Sequence, residues 1–138
     1  MLVDSDRDNR VMTTLSLEML GAIVISVTSV REAIIYLNRE QFHILISDLV
    51  LPEEDGCSLI RQVRGLAKEE RSNIPAIALT ACKVDRLCEH AIAAGFDLYQ
   101  EKPLLTDDLA MAIISLLSFH RTREGQTSTL QPYVVCSD

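Results

Sequence analysis

Long apolar runs are missing from this sequence. The most apolar stretch extends only from Leu109 to Phe119, about half of the roughly 20 residues that a membrane-spanning helix needs. The N-terminal residues Met1–Arg7 include two acids and a serine, so they lack the apolar core of a secretory signal. We therefore predict a cytoplasmic protein that does not enter the membrane.

An excess of basic charge is also missing. The 138 residues include 20 acidic and 13 basic ones, which gives a net charge of −7. Proteins that bind nucleic acid carry a basic footprint, so we expect no nucleic-acid partner. Hydrophobic residues make up 48% and charged residues 24%, as in ordinary soluble domains, and the length fits one domain.

Paired cysteines are the third absence. The four cysteines are Cys57, Cys82, Cys88 and Cys136. They form no CxxC pair and no cluster with histidine at the spacing of a zinc site. We interpret them as small apolar residues, most of them buried, in a reducing compartment.

Apolar strands and amphipathic helices alternate five times along the chain. The predicted strands cover residues 1–3, 22–27, 43–47, 74–80 and 98–100. Each is followed by apolar residues at helical spacing: Val11, Leu15 and Met19; Val30, Ala33, Ile34 and Leu37; Leu59, Ile60, Val63 and Leu66; Val84, Leu87, Cys88 and Ala91; Leu109, Ile113, Leu116 and Leu117. Such alternation predicts an α/β fold, a doubly wound five-stranded parallel sheet with helices on both faces.

Local signals mark several of the predicted boundaries. Gly21 stands where a helix commonly ends, and Ser29 with Glu32 forms a capping box for the second helix. Asp55-Gly56 indicates a turn, and Thr106 is placed to cap the last helix. The helical pattern stops after His120, so we predict a domain over residues 1–120 and a flexible tail over residues 121–138.

Polar residues follow the carboxyl ends of four predicted strands, where ligands bind in open parallel sheets. They are Asp4, Ser5 and Asp6 after the first strand, Asp48 after the third, Thr80 after the fourth and Lys102 after the fifth. Three carboxylates in one pocket need a cation, and oxygen ligands suit Mg²⁺. A hydroxyl and an ammonium complete a set of groups suited to phosphoryl transfer. A carboxylate of this set can itself be the nucleophile.

The sequence resembles the receiver domain of two-component response regulators. The resemblance rests on Asp48 in ISDLVLPEEDG, Thr80 in IPAIALTA and Lys102 in EKP, and it extends from Val3 to about Leu117. VDSDRDNR is similar to the acidic segment near the N-terminus of that family. The resemblance implies a flavodoxin-like fold with strand order 2-1-3-4-5.

It also implies a role for each matching position. Asp48 would accept a phosphoryl group from a histidine kinase or a histidine phosphotransfer protein in a two-component system or phosphorelay. Lys102 would bridge to the phosphoryl oxygen, Thr80 would move toward it, and Tyr99 would change rotamer with Thr80. Asp4, Asp6, Asp48 and the backbone carbonyl of Val50 would hold Mg²⁺. The last two predicted helices and the fifth strand would form the output face of a signalling module that is not an enzyme.

Position 5 departs from the pattern of that family. Receiver domains usually carry two adjacent acids after the first strand, and here Ser5 occupies the second of these positions. A neutral hydroxyl is a weaker ligand than a carboxylate. We therefore expect weak Mg²⁺ binding and slow phosphorylation.

Two alternative functions remain open at the level of sequence. Asp4-Ser5-Asp6 is similar to the nucleophile motif of haloacid-dehalogenase-type phosphatases, with Asp4 as nucleophile and Asp6 as acid/base. Thr80, Lys102 and Asp107-Asp108 would then be its later motifs. The Ser5 departure also allows a pseudo-receiver, which is an interaction module that works without phosphorylation.

Overall fold

Strands and helices alternate along the chain in the computed structural model, which describes residues 1–81, 85–102 and 106–123. The strands are β1 (Leu2–Val3), β2 (Ser26–Val27), β3 (Leu45–Asp48), β4 (Ala76–Thr80) and β5 (Leu98–Glu101). The helices are α1 (Arg7–Met19), α2 (Val30–Arg39), α3 (Gly56–Arg64), α4 (Glu69–Ser72), α5 (Asp85–Ala94) and α6 (Thr106–Arg123).

The five strands form one parallel sheet in the order β2-β1-β3-β4-β5. Leu2 pairs with Ser26 on one side and with Ile46 on the other, so β1 lies inside the sheet in spite of its short length. The predicted fold class and strand order are confirmed. All carboxyl ends of the strands therefore meet at one edge.

Two apolar layers hold helices against the sheet. One layer joins Met1, Val3, Leu45 and Ala78 of the strand segments to α2, α3 and α5. The other joins Leu2, Ile46, Ile77 and Leu79 to α1 and α6. Successive side chains in a strand point to opposite faces, so β1, β3 and β4 supply both layers. This explains why the sequence of these inner strands is mostly apolar.

Side chains cap three helices at their N-termini. Asp6 Oδ1 accepts hydrogen bonds from the backbone N–H groups of Asp8 and Asn9, and Asp55 Oδ1 accepts one from Ser58. Ser29 Oγ accepts one from Glu32, as the capping box predicts. The Asp55-Gly56 pair is therefore the start of α3 rather than a separate turn. Thr106 is the first residue of α6 and not the residue before it.

Three element boundaries differ from those predicted. The paired part of β2 is only Ser26–Val27, because its neighbour in the sheet, β1, has only two residues. A short helix, α4, lies between α3 and β4. The sequence does not predict it because this segment has no apolar residues at helical spacing. The last helix continues past His120 to Arg123. The described residues do not include Cys82, Val84 of the fourth predicted helix, or residues 124–138 of the predicted tail, which contain Cys136.

The apolar spacing that indicates α1 does not mark its buried face. Thr13 and Leu17 are the buried residues of α1. The apolar residues Val11, Leu15 and Met19 are 47%, 51% and 82% exposed. The spacing therefore predicts the helix correctly but not the side that packs on the sheet.

The cysteines that the structure describes fit the sequence prediction in part. Cys88 is buried, Cys57 is partly buried, and both are free. Burial raises the pKa of the Cys57 thiol, and the charge of Asp55 raises it further. Within the described ranges, no helix is long and apolar enough to cross a membrane.

Candidate functional site

The polar residues predicted to form a site lie together at the carboxyl edge of the sheet. Asp4 directly follows β1, and Asp48 and Thr80 are the last residues of β3 and β4. Lys102 directly follows β5, and its backbone N–H donates to the carbonyl oxygen of Thr80 at 2.8 Å. The parallel topology thus brings four separate segments of the chain to one place.

Lys102 joins the two carboxylates of this site. Its Nζ lies 2.7 Å from Asp48 Oδ2 and 3.2 Å from Asp4 Oδ2. The side chain of Asp4 is fully buried, and those of Lys102 and Asp48 are 15% and 14% exposed. One cation therefore partly neutralises two acids that would otherwise repel each other in a poorly solvated pocket.

The ionisation of Lys102 depends on these partners. Burial by itself lowers the pKa of Lys102. The hydrogen bond and charge of Asp48, together with Asp4, outweigh burial and raise the pKa above 10.5. Lys102 is consequently an ammonium throughout the physiological pH range, and it can pair with an incoming anion as well as with the carboxylates.

Backbone groups orient the buried Asp4. Its Oδ1 accepts a hydrogen bond from the N–H of Asp6 at 2.9 Å, and Nη1 of Arg10 donates to the carbonyl oxygen of Asp4 at 3.1 Å. Asp4 is thereby held at the start of α1 with Oδ2 directed to Lys102. The contact from Arg10 is a site feature that the sequence analysis missed, because no local signal distinguishes this arginine from other helix residues.

Of the three carboxylates predicted to form the site, those of Asp4 and Asp48 contact the same ammonium, whereas that of Asp6 does not. Asp6 is exposed, and its Oδ1 is occupied in capping α1. Ser5 is exposed as well. In the part of the chain that the structure describes, no three acid, histidine or cysteine side chains are grouped closely enough to hold a metal. Direct ligation of Mg²⁺ by Asp6 and Ser5 is implied only by the family resemblance, and for Asp6 the capping of α1 argues against it.

The remaining donors nevertheless fit a divalent cation of the Mg²⁺ type. Asp4 and Asp48 both approach the same ammonium, so their carboxylates lie close to each other. Asp48 Oδ1 also accepts from the N–H of Val50 at 3.3 Å, which brings the exposed Val50 backbone to the edge of the site. Mg²⁺ is usually bound by one or two carboxylates, and water and substrate phosphate oxygens complete its coordination. The donor set matches this preference, with one carboxylate fewer than expected.

Gly56 packs against the backbone of the candidate phosphoacceptor. A Cβ atom built on Gly56 would lie 2.4 Å from the carbonyl oxygen of Asp48 and 3.0 Å from Cα of Leu49. The N–H of Gly56 also donates to the carbonyl oxygen of Leu49 at 2.9 Å. The sequence marks this glycine only as part of a turn signal, whereas the structure shows that close approach requires it.

Thr80 and Tyr99 lie on adjacent strands but in different environments. Thr80 is 4% exposed at the end of β4. Tyr99 is 50% exposed, and it is paired with Ala78 rather than with Thr80. Tyr99 lines an open groove of about 430 Å³ with Cys88, Glu89, Ile92 and Ala93 of α5. The two proposed switch residues are therefore close along the sheet, and Tyr99 has space to move.

The arrangement does not favour the phosphatase alternative. Asp6, its acid/base, caps a helix, and Asp4, its nucleophile, is buried beneath Lys102. Asp107 and Asp108 are exposed in the first turn of α6, where acids complement the helix dipole. The carboxylate at the exposed side of the ion pair is Asp48.

Comparison with known proteins identifies relatives of the whole folded part. A curated protein from Leptolyngbya boryana, described only as an uncharacterised 14.6 kDa protein, is 41% identical over 104 residues, which are 75% of this chain and 78% of that protein. A hybrid signal transduction histidine kinase from Dictyostelium discoideum is 34% identical over 128 residues, which are 88% of this chain but 8% of the kinase. The chain thus spans only a small part of the kinase.

A solved structure shows the same fold. The receiver domain of a sensor histidine kinase from Pseudomonas aeruginosa, determined with a magnesium ion coordinated in its active-site cleft, superposes with a TM-score of 0.75 at 29% identity. The match covers 85% of this chain and 94% of that one. The sequence model of the response regulator receiver domain family matches residues 1–114, from the start of the sheet into α6. This chain therefore belongs to the response regulator receiver domains, the family of phosphoryl-accepting modules of two-component signalling.

Proposed function

We propose that Asp48 is the phosphoacceptor of this receiver domain. The observation that carries the proposal is the distance of 2.7 Å between Asp48 Oδ2 and Lys102 Nζ. This contact lies at the carboxyl edge of the sheet, where Asp4 and Thr80 also lie. Asp48 is the carboxylate of the pair that solvent reaches, because Asp4 is fully buried. The side chain of Asp48 is 14% exposed, which gives a phosphodonor access to it.

The chemistry assigned to Asp48 is nucleophilic attack on phosphorus. A carboxylate oxygen forms the new P–O bond while the P–N bond of a phosphohistidine breaks, and the imidazole nitrogen keeps the electron pair of that bond. Lys102 stays an ammonium and pairs with a phosphoryl oxygen after transfer. Positioning and charge neutralisation supply most of the rate in such reactions.

Receiver domains bind Mg²⁺ in their active sites, and we propose that Asp4, Asp48 and the carbonyl oxygen of Val50 hold it here. The ion would offset the negative charge of the acids and of the phosphoryl group. Ser5 offers a neutral oxygen where a second acid would add a unit of charge. We therefore propose that the affinity for Mg²⁺ is low compared with receivers that have two adjacent acids.

The proposed response to phosphorylation uses Thr80 and Tyr99. A phosphoryl group adds roughly 1.5–2 negative charges and strong acceptor oxygens, which would attract the hydroxyl of Thr80. Tyr99, which lines an open groove, would then turn inward. The change would alter the output face formed by α5, β5 and α6.

The proposed donor is a histidine kinase or a histidine phosphotransfer protein. Receiver domains are typically signalling modules without enzymatic activity, and curated relatives of this chain include a hybrid histidine kinase and a probable histidine kinase. A phosphohistidine supplies the leaving group that this site needs. The absence of a nucleic-acid partner and a cytoplasmic location stay predictions from composition.

Intact-mass measurement after incubation with acetyl phosphate and Mg²⁺ tests the proposal. The wild-type chain should gain the mass of one phosphoryl group, and the gain should be lost on treatment with hydroxylamine, which cleaves acyl phosphates. Asp48→Asn should show no gain. The exposed Asp107→Asn, in the first turn of α6, is the matched control and should label like wild type. Labelling of Asp48→Asn would overturn the assignment because another residue would then accept the phosphoryl group. Absence of labelling in wild type would overturn it too and would favour a pseudo-receiver.

A further inference from the structure

An arginine of α1 reaches back to the end of β1. Nη1 of Arg10 donates to the carbonyl oxygen of Asp4 at 3.1 Å, and the backbone N–H of Arg10 donates to the carbonyl oxygen of Asp6 at 2.9 Å. The hydroxyl of Thr14 in turn donates to the carbonyl oxygen of Arg10 at 2.7 Å. Arg10 is only partly exposed. The segment that joins β1 to α1 is therefore closed by hydrogen bonds at both of its ends.

The contact from Arg10 completes the set of hydrogen bonds to Asp4. The N–H of Asp4 donates to the carbonyl oxygen of Val27 at 3.1 Å. Its Oδ1 accepts from the N–H of Asp6 at 2.9 Å, and its Oδ2 accepts from Lys102 Nζ at 3.2 Å. With Arg10 on the carbonyl oxygen, every polar atom of this fully buried residue has a partner. Such a carboxylate is held in one orientation.

We propose that Arg10 is a positioning residue, which holds Asp4 in the orientation that its carboxylate needs to bind Mg²⁺. The inference rests on the proposed metal site. In the proposed reaction Lys102 turns to a phosphoryl oxygen, and Asp4 Oδ2 then loses its ammonium partner. The contacts from Arg10 and Asp6 remain and keep the carboxylate directed to the site. Arg10 contacts the carbonyl oxygen of Asp4, so it acts through Asp4 and is not a ligand.

The charge of Arg10 predicts the opposite effect on the metal. A positive charge near a cation site repels the cation, so removal of the charge alone would strengthen Mg²⁺ binding. Loss of the hydrogen bond to Asp4 would weaken it, because the carboxylate would be less well oriented. The sign of the change therefore separates positioning from charge. Arg7 is the matched control, since it is exposed at the start of the same helix.

Affinities for Mg²⁺ without any phosphodonor test the proposal, measured from amide chemical shifts in a titration of the full chain. Arg10→Met keeps a long side chain but loses the donor and should raise the dissociation constant at least about fivefold. Arg7→Met loses the same charge and should leave the constant within about twofold of wild type or lower it. Arg10→Lys should also stay within about twofold, because the contact uses one nitrogen, which lysine can supply.

Hydrogen exchange of the metal-free chain separates positioning from a general loss of stability. In Arg10→Met the amide proton of Asp6 should exchange at least about fivefold faster, because its acceptor, Asp4 Oδ1, is less well fixed. The amide of Ser58, which donates to Asp55 Oδ1 at the start of α3, should exchange as in wild type. Equal acceleration of both amides would show that Arg10 only stabilises the fold and would overturn the proposal.

Three results of the titration would also overturn the proposal. The first is an Arg10→Met chain that binds Mg²⁺ as tightly as wild type or more tightly, because charge alone would then describe the role of Arg10. The second is an Arg10→Lys chain that binds as weakly as Arg10→Met. The third is a wild-type chain whose amide shifts do not respond to Mg²⁺. Labelling of Asp48 is a separate measurement, so a failure of the phosphoacceptor assignment is distinguishable from a failure of this proposal.

Discussion

Lys102 and Asp48 are separated by 54 positions in the chain, yet Lys102 Nζ lies 2.7 Å from Asp48 Oδ2. The same ammonium reaches Asp4 Oδ2 at 3.2 Å. A single cation therefore balances two carboxylates that the parallel sheet forces together. This contact links the stability of the domain to the chemistry of its site.

Removing Lys102 should destabilise the domain. In Lys102→Ala the carboxylates of Asp4 and Asp48 lose their shared partner, and Asp4 is fully buried. We expect the free energy of unfolding to fall by about 2–3 kcal/mol, measured by urea denaturation without Mg²⁺. The exposed Lys68→Ala should change it by less than about 0.5 kcal/mol. Equal effects of the two substitutions would show that the ion pairs do not stabilise the fold.

The pH dependence of this contribution follows from the raised pKa of Lys102. A base whose pKa is higher in the folded state stabilises the fold fully below the unfolded value, 10.5, and loses the effect as pH rises through the folded value. The difference in stability between wild type and Lys102→Ala should therefore stay constant through neutral pH and shrink only in strongly alkaline solution. Denaturation series at several pH values measure this difference.

Replacing Ser5 with an acid should strengthen the proposed metal site. Ser5→Asp adds one negative charge beside Asp4, and we expect Mg²⁺ to bind at least tenfold more tightly, which is about 1.4 kcal/mol. Phosphorylation by acetyl phosphate should also become faster. Titration calorimetry gives the affinity, and Ser5→Asn, which adds a similar side chain without charge, is the control. Equal affinities for wild type and Ser5→Asp would show that the serine does not weaken the site.

Asp6 should act on the helix rather than on the metal. Its Oδ1 accepts from the N–H groups of Asp8 and Asn9, so Asp6→Ala removes the cap of α1. We expect a loss of about 1 kcal/mol in unfolding free energy, with Mg²⁺ affinity changed by less than threefold. Asp6→Ser should restore most of the stability because serine is also a good cap. A large loss of Mg²⁺ affinity in Asp6→Ser would instead assign Asp6 to the metal.

Thr80 should couple phosphorylation to the output face. Thr80→Ala keeps Asp48 and Lys102, so labelling by acetyl phosphate should continue. Amide chemical shifts of α5 and β5 should change less on phosphorylation than in wild type, because the variant lacks the hydroxyl that would move toward the phosphoryl group. Thr80→Ser keeps that hydroxyl and should retain the response. Shift changes in Thr80→Ala that equal those of wild type would exclude Thr80 as the coupling residue.

Gly56 should tolerate no side chain. In Gly56→Ala the new Cβ would lie 2.4 Å from the carbonyl oxygen of Asp48, and relief requires movement of the backbone that carries the phosphoacceptor. We expect at least about 2 kcal/mol of destabilisation and slower labelling of Asp48. Gly65→Ala meets only carbonyl oxygens at 3.6 Å, so it should change stability by less than about 1 kcal/mol. The ratio of the two effects tests whether close approach is what requires glycine at position 56.

Much of the fold was predictable because local sequence and tertiary structure agree. The apolar strands, the helical spacing in α2 and α3, and the glycine at position 21, whose φ is +89°, all indicate the same alternating topology. The positions of Asp48, Thr80 and Lys102 followed from that topology, since the carboxyl ends of parallel strands meet at one edge. Each of these predictions needs only the order of residues along one segment.

The residues of the first helix show where sequence was insufficient. Spacing alone identifies α1, but Val11, Leu15 and Met19 are exposed, whereas Thr13 and Leu17 are the buried residues of the helix. The cap of α1 also withdraws Asp6 from the carboxylates that the sequence groups together. Neither outcome can be derived from periodicity, which describes a helix but not its direction of packing.

The order of residues along the chain determined the alternating elements, the parallel sheet and which side chains stand at strand ends. Tertiary structure alone decided which of those side chains touch. It joined Asp4 to Lys102 across 98 positions, placed Gly56 against Asp48 and left the apolar face of α1 uncovered. The physical reason is that hydrogen bonding and periodicity are local, whereas ion pairing, close packing and burial depend on the distances between segments that only the folded chain brings together.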